Sequence, residues 1–326
     1  MPDDLRTAPL DDALRAALTE VLAPLGDVTG LTPLSGGMFA TSIRVDFADG
    51  RVAVAKTAPA DDDRLLRYEQ DLIRTEALVY RLAGDDPALL MPRLLLADTT
   101  RRQLPGDLVV ASWQSGVRAD TVPELAQATA DRRGRGLGRM MAALHRHTTD
   151  RFGYPSGPEE LRGADWASTF ESMVEAVLAD ADTWSVELPV SAIRTALRRH
   201  HAALAEVETP ALVHADLWPG NQFIDAVSGE LTGVIDPERA FWGDPVFDLI
   251  ACDPFRAGAP DPSLLAGYRE GGGSVDPDSP RLALCQLYLA LIMRVEIQPR
   301  QYTGDWLAEH VAQVDRWLTD ALDRLG

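Results

Sequence analysis

The chain is almost without lysine. Of its 31 basic residues Lys56 is the single lysine, which leaves 30 arginines. Codon usage explains a general bias towards arginine. A lone lysine also marks a place where a compact point charge serves and a wide planar fork does not. Cysteine is nearly as scarce. Cys252 and Cys285 lie far apart, with no metal or redox spacing, so reduced thiols are expected and nothing supports a disulfide between them. Basic charge is in deficit, with a formal net charge of −19. That excludes nucleic acid as a partner and otherwise describes a solubilising surface. No apolar run reaches the roughly eighteen residues a membrane helix needs. The opening stretch, MPDDLRTAPLDDALR, is acidic and amphipathic and lacks the basic start and apolar middle of a secretory signal. The expectation is a cytoplasmic protein with no membrane partner.

What is present is enough for a large folded unit: 326 residues, 46% of them hydrophobic. Leu10, Leu14, Ala17, Leu18 and Val21 share one helical face. Ile43, Val45 and Phe47 alternate with polar residues as in a half-buried strand. Asp49-Gly50 signals a hairpin, and a further strand, VAVAK, ends at Lys56. The segment 67–84 has helical spacing through Leu72, Val79 and Leu82, with Gly84 as its stop. Residues 92–98 and 106–113 read as two more strands. Past residue 120 or so the pattern turns helical, broken by two short strand-like runs, ALVHADL and LTGVIDP. The composition shift around SWQSGVR predicts a small β-rich lobe over residues 1–112 and a larger, mainly helical lobe over 113–326. The fold class is α+β.

Unusual residue types fall in a telling order. A glycine turn, Gly36-Gly37, lies between strands. Lys56 ends a strand and Glu76 lies within the next helix. His214, Asp216 and Asn221 share a single loop, and Asp236 ends the strand that follows. Phosphoryl transfer needs these types. It requires a backbone cover and a cation for the phosphates, oxygen ligands for Mg²⁺, and a carboxylate for the proton of the attacking hydroxyl. Pro219 and Gly220 bend the loop so that Asp216 and Asn221 address one cleft.

The sequence resembles the aminoglycoside phosphotransferase and choline kinase group, which has a bilobal protein-kinase-like fold. VHADLWPGN followed by GVIDPERAFWGDPVFDL carries the resemblance most specifically, and HADLWPGN is also similar to the fructosamine kinase branch. The likeness spans roughly residues 30 to 255. It implies ATP or GTP as donor, Mg²⁺ as cofactor and a hydroxylated small molecule as acceptor. It assigns Lys56 to the α- and β-phosphates, Glu76 to an ion pair that orients Lys56, and Asp216 to the catalytic base. Asn221 and Asp236 would hold Mg²⁺, and Gly36 and Gly37 would cover the phosphates. His214 and Asp248 would brace the catalytic loop. Val109 to Trp113 would form a hinge, with backbone groups of Ala111 and Trp113 on the purine edge. Val54, two residues before Lys56, shares its face of the strand and would touch the base.

Two departures matter. Pro237 follows Asp236, which fixes the backbone there, and no activation-loop motif follows. Both argue for a preassembled site and against a protein substrate. For the acceptor, the acids Asp253, Asp261, Glu270, Glu296 and Glu309 would suit a polyamine antibiotic if they line its pocket. Arg256, Arg294 and Trp306 would suit an uncharged or anionic one, such as a nucleoside. An arginine- and alanine-rich chain of high-GC type favours an antibiotic acceptor. The alternatives are a metabolic kinase of fructosamine, amino-sugar or choline type, a nucleotide-binding scaffold, and a metal hydrolase built on His214 and Asp216.

Overall fold

The computed structural model describes residues 10–34, 40–58, 63–122, 127–256 and 259–326. The first lobe is a five-stranded antiparallel sheet of β1 (Val28–Pro33), β2 (Thr41–Phe47), β3 (Val52–Thr57), β4 (Leu94–Asp98) and β5 (Leu108–Ser112). The order across the sheet is β1-β2-β3-β5-β4. Period-two alternation gives each strand two faces. Ile43, Val45, Phe47, Ala53, Ala55, Leu108 and Val110 pack on one face with Leu18, Val21 and Leu22 of α1 (Asp12–Leu22). Asp11 caps α1 by accepting the Leu14 N–H at 2.8 Å. The other face carries Val109 and Ala111, which join α2 (Leu72–Asp85) in the larger core. That core runs on without a break into the second lobe, so the sheet's inner face and the helices rest on one another.

The helix expected over 67–84 is divided. Residues Arg67–Glu69 form a single 3-10 turn, Asp71 takes a left-handed conformation (φ 56°), and α2 begins at Leu72. The helix continues one residue past Gly84. The break serves packing, because the Glu69 side chain turns inward and is fully buried.

The second lobe holds α3 (Gln127–Leu144), α4 (Trp166–Thr183), α5 (Val190–Ala205), α6 (Val246–Ala251), α7 (Pro262–Glu270), α8 (Pro280–Val295) and α9 (Leu307–Leu325). Helix α8 is apolar on nearly every side and forms the centre of the lobe. The glycines of α3 serve helix packing. A Cβ on Gly138 would lie 2.1 Å from the Leu264 carbonyl oxygen and 2.5 Å from the Tyr268 nitrogen, so α7 crosses α3 at backbone contact. Short strands add two small sheets. One is ordered β11 (Leu231–Val234), β10 (Gln222–Ile224), β6 (Val117–Arg118). The other is ordered β8 (Arg162–Gly163), β7 (Phe152–Gly153), β12 (Phe241–Gly243), β9 (Ala211–Val213). The sequence signalled only β9 and β11 among these. Strands of two or three residues are too short to show a period. Cys252 and Cys285 are free, buried thiols.

Candidate active site

A cavity of about 380 Å³ lies where the two lobes meet. Strand alternation places Val54 and Lys56 on the cavity side, opposite Ala53 and Ala55. Trp113 lines the same space and is 41% exposed. Its backbone N–H donates to the Val52 carbonyl at 3.3 Å, so that hydrogen is already engaged within the protein. Ala111 lies in register with Val54 and lines the cavity as well. Gly36 and Gly37 fall outside the described residues.

Lys56 is buried and meets three carboxylates. Its Nζ lies 3.0 Å from Glu76 Oε2 and 2.6 Å from Glu238 Oε2, and it donates a short hydrogen bond to Asp236 Oδ1. Burial alone would lower its pKa, but Asp236, Glu238 and Glu76 together hold it well above the ordinary lysine value. The acids divide. Burial pushes Glu76 up, and burial together with the Asp236 charge pushes Glu238 up to about 8. Burial acts on Asp236 in the same direction, yet Lys56 holds that carboxyl below the usual range. Glu76 is thus the partner on α2. Glu69, on the turn before α2, pairs with Arg300.

The loop from His214 to Asn221 is braced from behind. Asp248, fully buried on α6, accepts the N–H of His214 at 3.0 Å and of Ala215 at 2.8 Å. His145 Nε2 lies 3.1 Å from the same carboxylate. These bonds hold Ala215 in the left-handed region (φ 66°), a conformation that costs a non-glycine residue on the order of 1–3 kcal/mol. The Asp216 N–H donates to His214 Nδ1 at 3.3 Å, which places the neutral ring's proton on Nε2. Burial lowers the His214 pKa and keeps it neutral.

Asn221 Nδ2 donates to the Asp216 carbonyl at 2.9 Å and to Asp216 Oδ2 at 3.1 Å. Burial raises the Asp216 carboxyl to about 6, with Arg239 pulling the other way. Asp236 is itself left-handed (φ 68°), and its N–H donates to the Tyr80 hydroxyl at 3.2 Å. Gly220 has a steric reason as well as a turn role. A Cβ there would lie 2.2 Å from the Trp218 ring, which folds over it and lines the cavity. The cavity is therefore lined by Lys56, Glu76, Asn221 and Asp236, and Asp216 is held against Asn221.

A family model described as APH, the phosphotransferase enzyme family, matches residues 30–285. The chain belongs to this family. By class the phosphotransferase is a small-molecule kinase. No curated protein matches its sequence significantly. Solved structures share its bilobal, protein-kinase-like fold. A Ralstonia eutropha protein assigned as an aminoglycoside phosphotransferase is 13% identical, with a TM-score of 0.67 over 95% of this chain and 98% of its own. A Thermobifida fusca protein assigned as a fructosamine-3-kinase is 20% identical, with a TM-score of 0.66 over 98% and 99%. A thermostable mutant of aminoglycoside phosphotransferase APH(4)-Ia, in ternary complex with AMP-PNP and hygromycin B, is 20% identical. Its TM-score is 0.62 over 94% of this chain and 97% of its own. At these identities the likeness is one of fold.

Three residues in or beside the candidate site escaped the sequence reading. Glu238 is a third carboxylate on Lys56. Its signal was its place two residues after Asp236, beyond the fixed bend of Pro237. Arg239 follows it, half-buried, with its guanidinium over the Tyr68 ring at 6.0 Å and 3.1 Å from Glu296 Oε2. Trp218 is 39% exposed in the cleft, where a tryptophan between Asp216 and Asn221 was the available hint. The acid-lined acceptor pocket does not form from the five carboxylates considered. Glu296 is taken by Arg239 and Arg300, Glu270 by Arg135 and Arg139, and Asp253 by Arg256. Asp261 caps α7, and Glu309 is exposed on α9.

Proposed function

We propose that this phosphotransferase moves the γ-phosphoryl group of ATP or GTP to a hydroxyl of a small-molecule antibiotic of aminoglycoside, nucleoside or peptide type, with Mg²⁺, and so confers resistance. The observation that carries the reading is Lys56 held among Glu76, Asp236 and Glu238 in the same cleft as Asn221, whose amide donates to Asp216. The lobes divide at Ser112/Trp113, and the nucleotide lies between them with its base near Val54 and the hinge.

The residues fit a hard divalent cation. Glu76, Asp236 and Glu238 offer carboxylate oxygens within 4.8 Å of one another, and Asn221 keeps an amide oxygen free. Asn221, Asp236 and Glu238 would hold Mg²⁺, which when bound supplies neutralising charge to the phosphate oxygens. Lys56 leaves Asp236 to bind the α- and β-phosphates, and Glu76 keeps it aimed. Asp216 lies at the end of a loop that Asp248 holds rigid, so its carboxylate is in place before the acceptor arrives. It takes the hydroxyl proton as the acceptor oxygen bonds to the γ-phosphorus. The bond to the β-phosphate oxygen breaks, and the nucleoside diphosphate leaves. His214 stays neutral and positions the loop.

A metabolic kinase of fructosamine, amino-sugar or choline type is the second reading, supported by HADLWPGN and the fold shared with the fructosamine-3-kinase assignment. A hydrolase built on His214 draws no support from the site. Among the described residues the one group of acids and histidines spaced for a metal excludes His214. The substrate is small, the site is preassembled, and the protein works in the cytoplasm. Among the described residues no helix is long and apolar enough to cross a membrane.

The test is nucleoside diphosphate release from ATP and from GTP with Mg²⁺, against aminoglycosides, nucleoside and peptide antibiotics, amino sugars, fructosamines and choline. Acceptor-stimulated release that disappears in Asp216→Ala supports the proposal and names the acceptor class. Failure of both nucleotides to bind at millimolar concentration refutes it.

A further inference from the structure

We propose that Tyr80 is a positioning residue for phosphoryl transfer: its hydroxyl fixes Asp236 in the backbone conformation from which that carboxylate meets Lys56 and a divalent cation. The inference rests on the phosphotransferase reading, in which Asp236 is a metal ligand, and adds the group that holds this ligand in place.

The backbone at Asp236 needs a partner from outside its own sheet. The ladder between β10 and β11 ends at the pair Gln222–Val234. The Ile235 N–H still reaches the Asn221 carbonyl at 3.0 Å. Asp236, the next residue, turns left-handed (φ 68°, ψ 50°), a region that a non-glycine residue holds only when its surroundings impose it. Among the described residues no backbone carbonyl takes its N–H. The Tyr80 hydroxyl accepts it instead, at 3.2 Å. Pro237 follows and has no N–H to add, so the phenol is the anchor at the start of the bend.

Tyr80 is itself well placed to hold something. It lies on α2, buried to 3% exposure, and lines the cavity beside Lys56, Glu76 and Asp236. Glu76 precedes it by four residues, so one face of the helix carries both. Glu76 lies 3.0 Å from the Lys56 ammonium, and Tyr80 holds the Asp236 backbone. A single face of α2 therefore sets the cation that meets the phosphates and the carboxylate that meets the metal. The oxygen is the part that matters. A phenylalanine would fill nearly the same space but would leave the Asp236 amide without its partner.

The carboxylate depends on that amide bond. Asp236 Oδ1 already takes a short hydrogen bond from Lys56, and Glu238 Oε2 lies 2.6 Å from the same ammonium. Asp236 and Glu238 are separated only by Pro237, on one 3-10 turn that begins at Asp236. A change of backbone conformation at Asp236 would move its carboxylate relative to Lys56, Glu76 and Glu238, which together with it make up the polar end of the cavity.

The experiment reads the metal directly and uses the full chain. Mn²⁺ accepts the same carboxylate and carbonyl ligands as Mg²⁺ and is followed by electron paramagnetic resonance with AMP-PNP present. AMP-PNP binding in EDTA is followed by calorimetry. Wild type is compared with Tyr80→Phe, Asp236→Asn, the double variant and Tyr288→Phe. The last is the structural control, because it removes a phenol that meets the Tyr154 hydroxyl at 2.9 Å in the large core. Partners behind a metal ligand are worth about 10- to 100-fold in metal affinity, and Tyr80→Phe should weaken Mn²⁺ by that factor while metal-free AMP-PNP binds as to wild type. Tyr288→Phe should lower the unfolding midpoint and leave Mn²⁺ binding unchanged. Tyr80→Phe added to Asp236→Asn should weaken Mn²⁺ no further, since both act on one ligand. Wild-type Mn²⁺ affinity in Tyr80→Phe, with loss in Asp236→Asn, overturns the inference and leaves the phosphotransferase reading standing. An equal loss in Tyr288→Phe overturns it too. Mn²⁺ that fails to bind wild type, or binds Asp236→Asn unchanged, refutes the metal assignment of Asp236 and the inference with it.

Discussion

Asp248→Asn tests the brace behind the catalytic loop. The side chain is fully buried. Its Oδ1 accepts the Ala215 N–H at 2.8 Å, and its Oδ2 accepts the His214 N–H at 3.0 Å with His145 Nε2 at 3.1 Å. Asparagine keeps the shape but retains one oxygen. Either way round, its NH₂ group opposes a backbone N–H, so no flip satisfies both donors. The loss is one charge-assisted hydrogen bond, about 1.5–3 kcal/mol, together with the cost of leaving a buried donor unmet. A total of about 2–4 kcal/mol is expected, a large share of the roughly 5–15 kcal/mol that keeps a domain folded. The left-handed Ala215 then loses what holds it, and Asp216 is the next residue.

Two assays read this. Urea unfolding should show a lower midpoint at unchanged slope. Steady-state kinetics should show kcat reduced on the order of 10- to 100-fold with donor affinity unchanged, because a positioned base has moved and the nucleotide site has not. Asp244→Asn is the control. Asp244 is equally buried, but Oδ1 accepts only the Val246 N–H at 3.1 Å, while Oδ2 has no hydrogen-bond partner and lies 3.4 Å from Arg281. Its amide form can keep the one bond and should cost less. If Asp248→Asn unfolds within about 0.5 kcal/mol of wild type and keeps its kcat, the brace is wrong.

Further outcomes follow from the same geometry. Lys56→Arg keeps the charge but fits a wide fork among three carboxylates; kcat/KM for the donor should fall about 100-fold or more. Asp216 titrates near 6 and works as a base only when ionised. The kcat/KM should therefore be flat above that value and drop about tenfold per pH unit below it, and a profile flat to pH 5 would contradict the assignment. Burial and Asp236 raise Glu238 to about 8, so a dication must displace its proton at neutral pH. The half-saturating Mg²⁺ concentration should fall between pH 7 and 9 in wild type and lose that dependence in Glu238→Gln. Gly138→Ala forces a methyl to within 2.1 Å of the Leu264 carbonyl oxygen; a stability loss of about 1–3 kcal/mol should appear in urea unfolding, with KM values unchanged.

The sequence showed the site where chemistry is written in local order and hid it where chemistry is written in space. Lys56 was legible because no other lysine competes with it, and alternation along β3 gave its face. The loop from His214 to Asn221 was legible because its spacing is short and its residue types are costly to place together without cause. The inward turn of Glu69 was hidden, because it depends on the break at Asp71, a left-handed aspartate that no helical period foretells. The acceptor side was hidden for a stronger reason. Glu69 and Arg300 are 231 positions apart, and Arg239 and Glu296 are 57 apart, yet they form one buried chain of charges. Counting acids in the last third of the chain suggested a polyamine pocket, because a carboxylate's partner cannot be read from its neighbours in sequence. A buried carboxylate is cancelled or free according to which guanidinium the fold brings to it. That pairing, more than composition, sets the charge around Asp216.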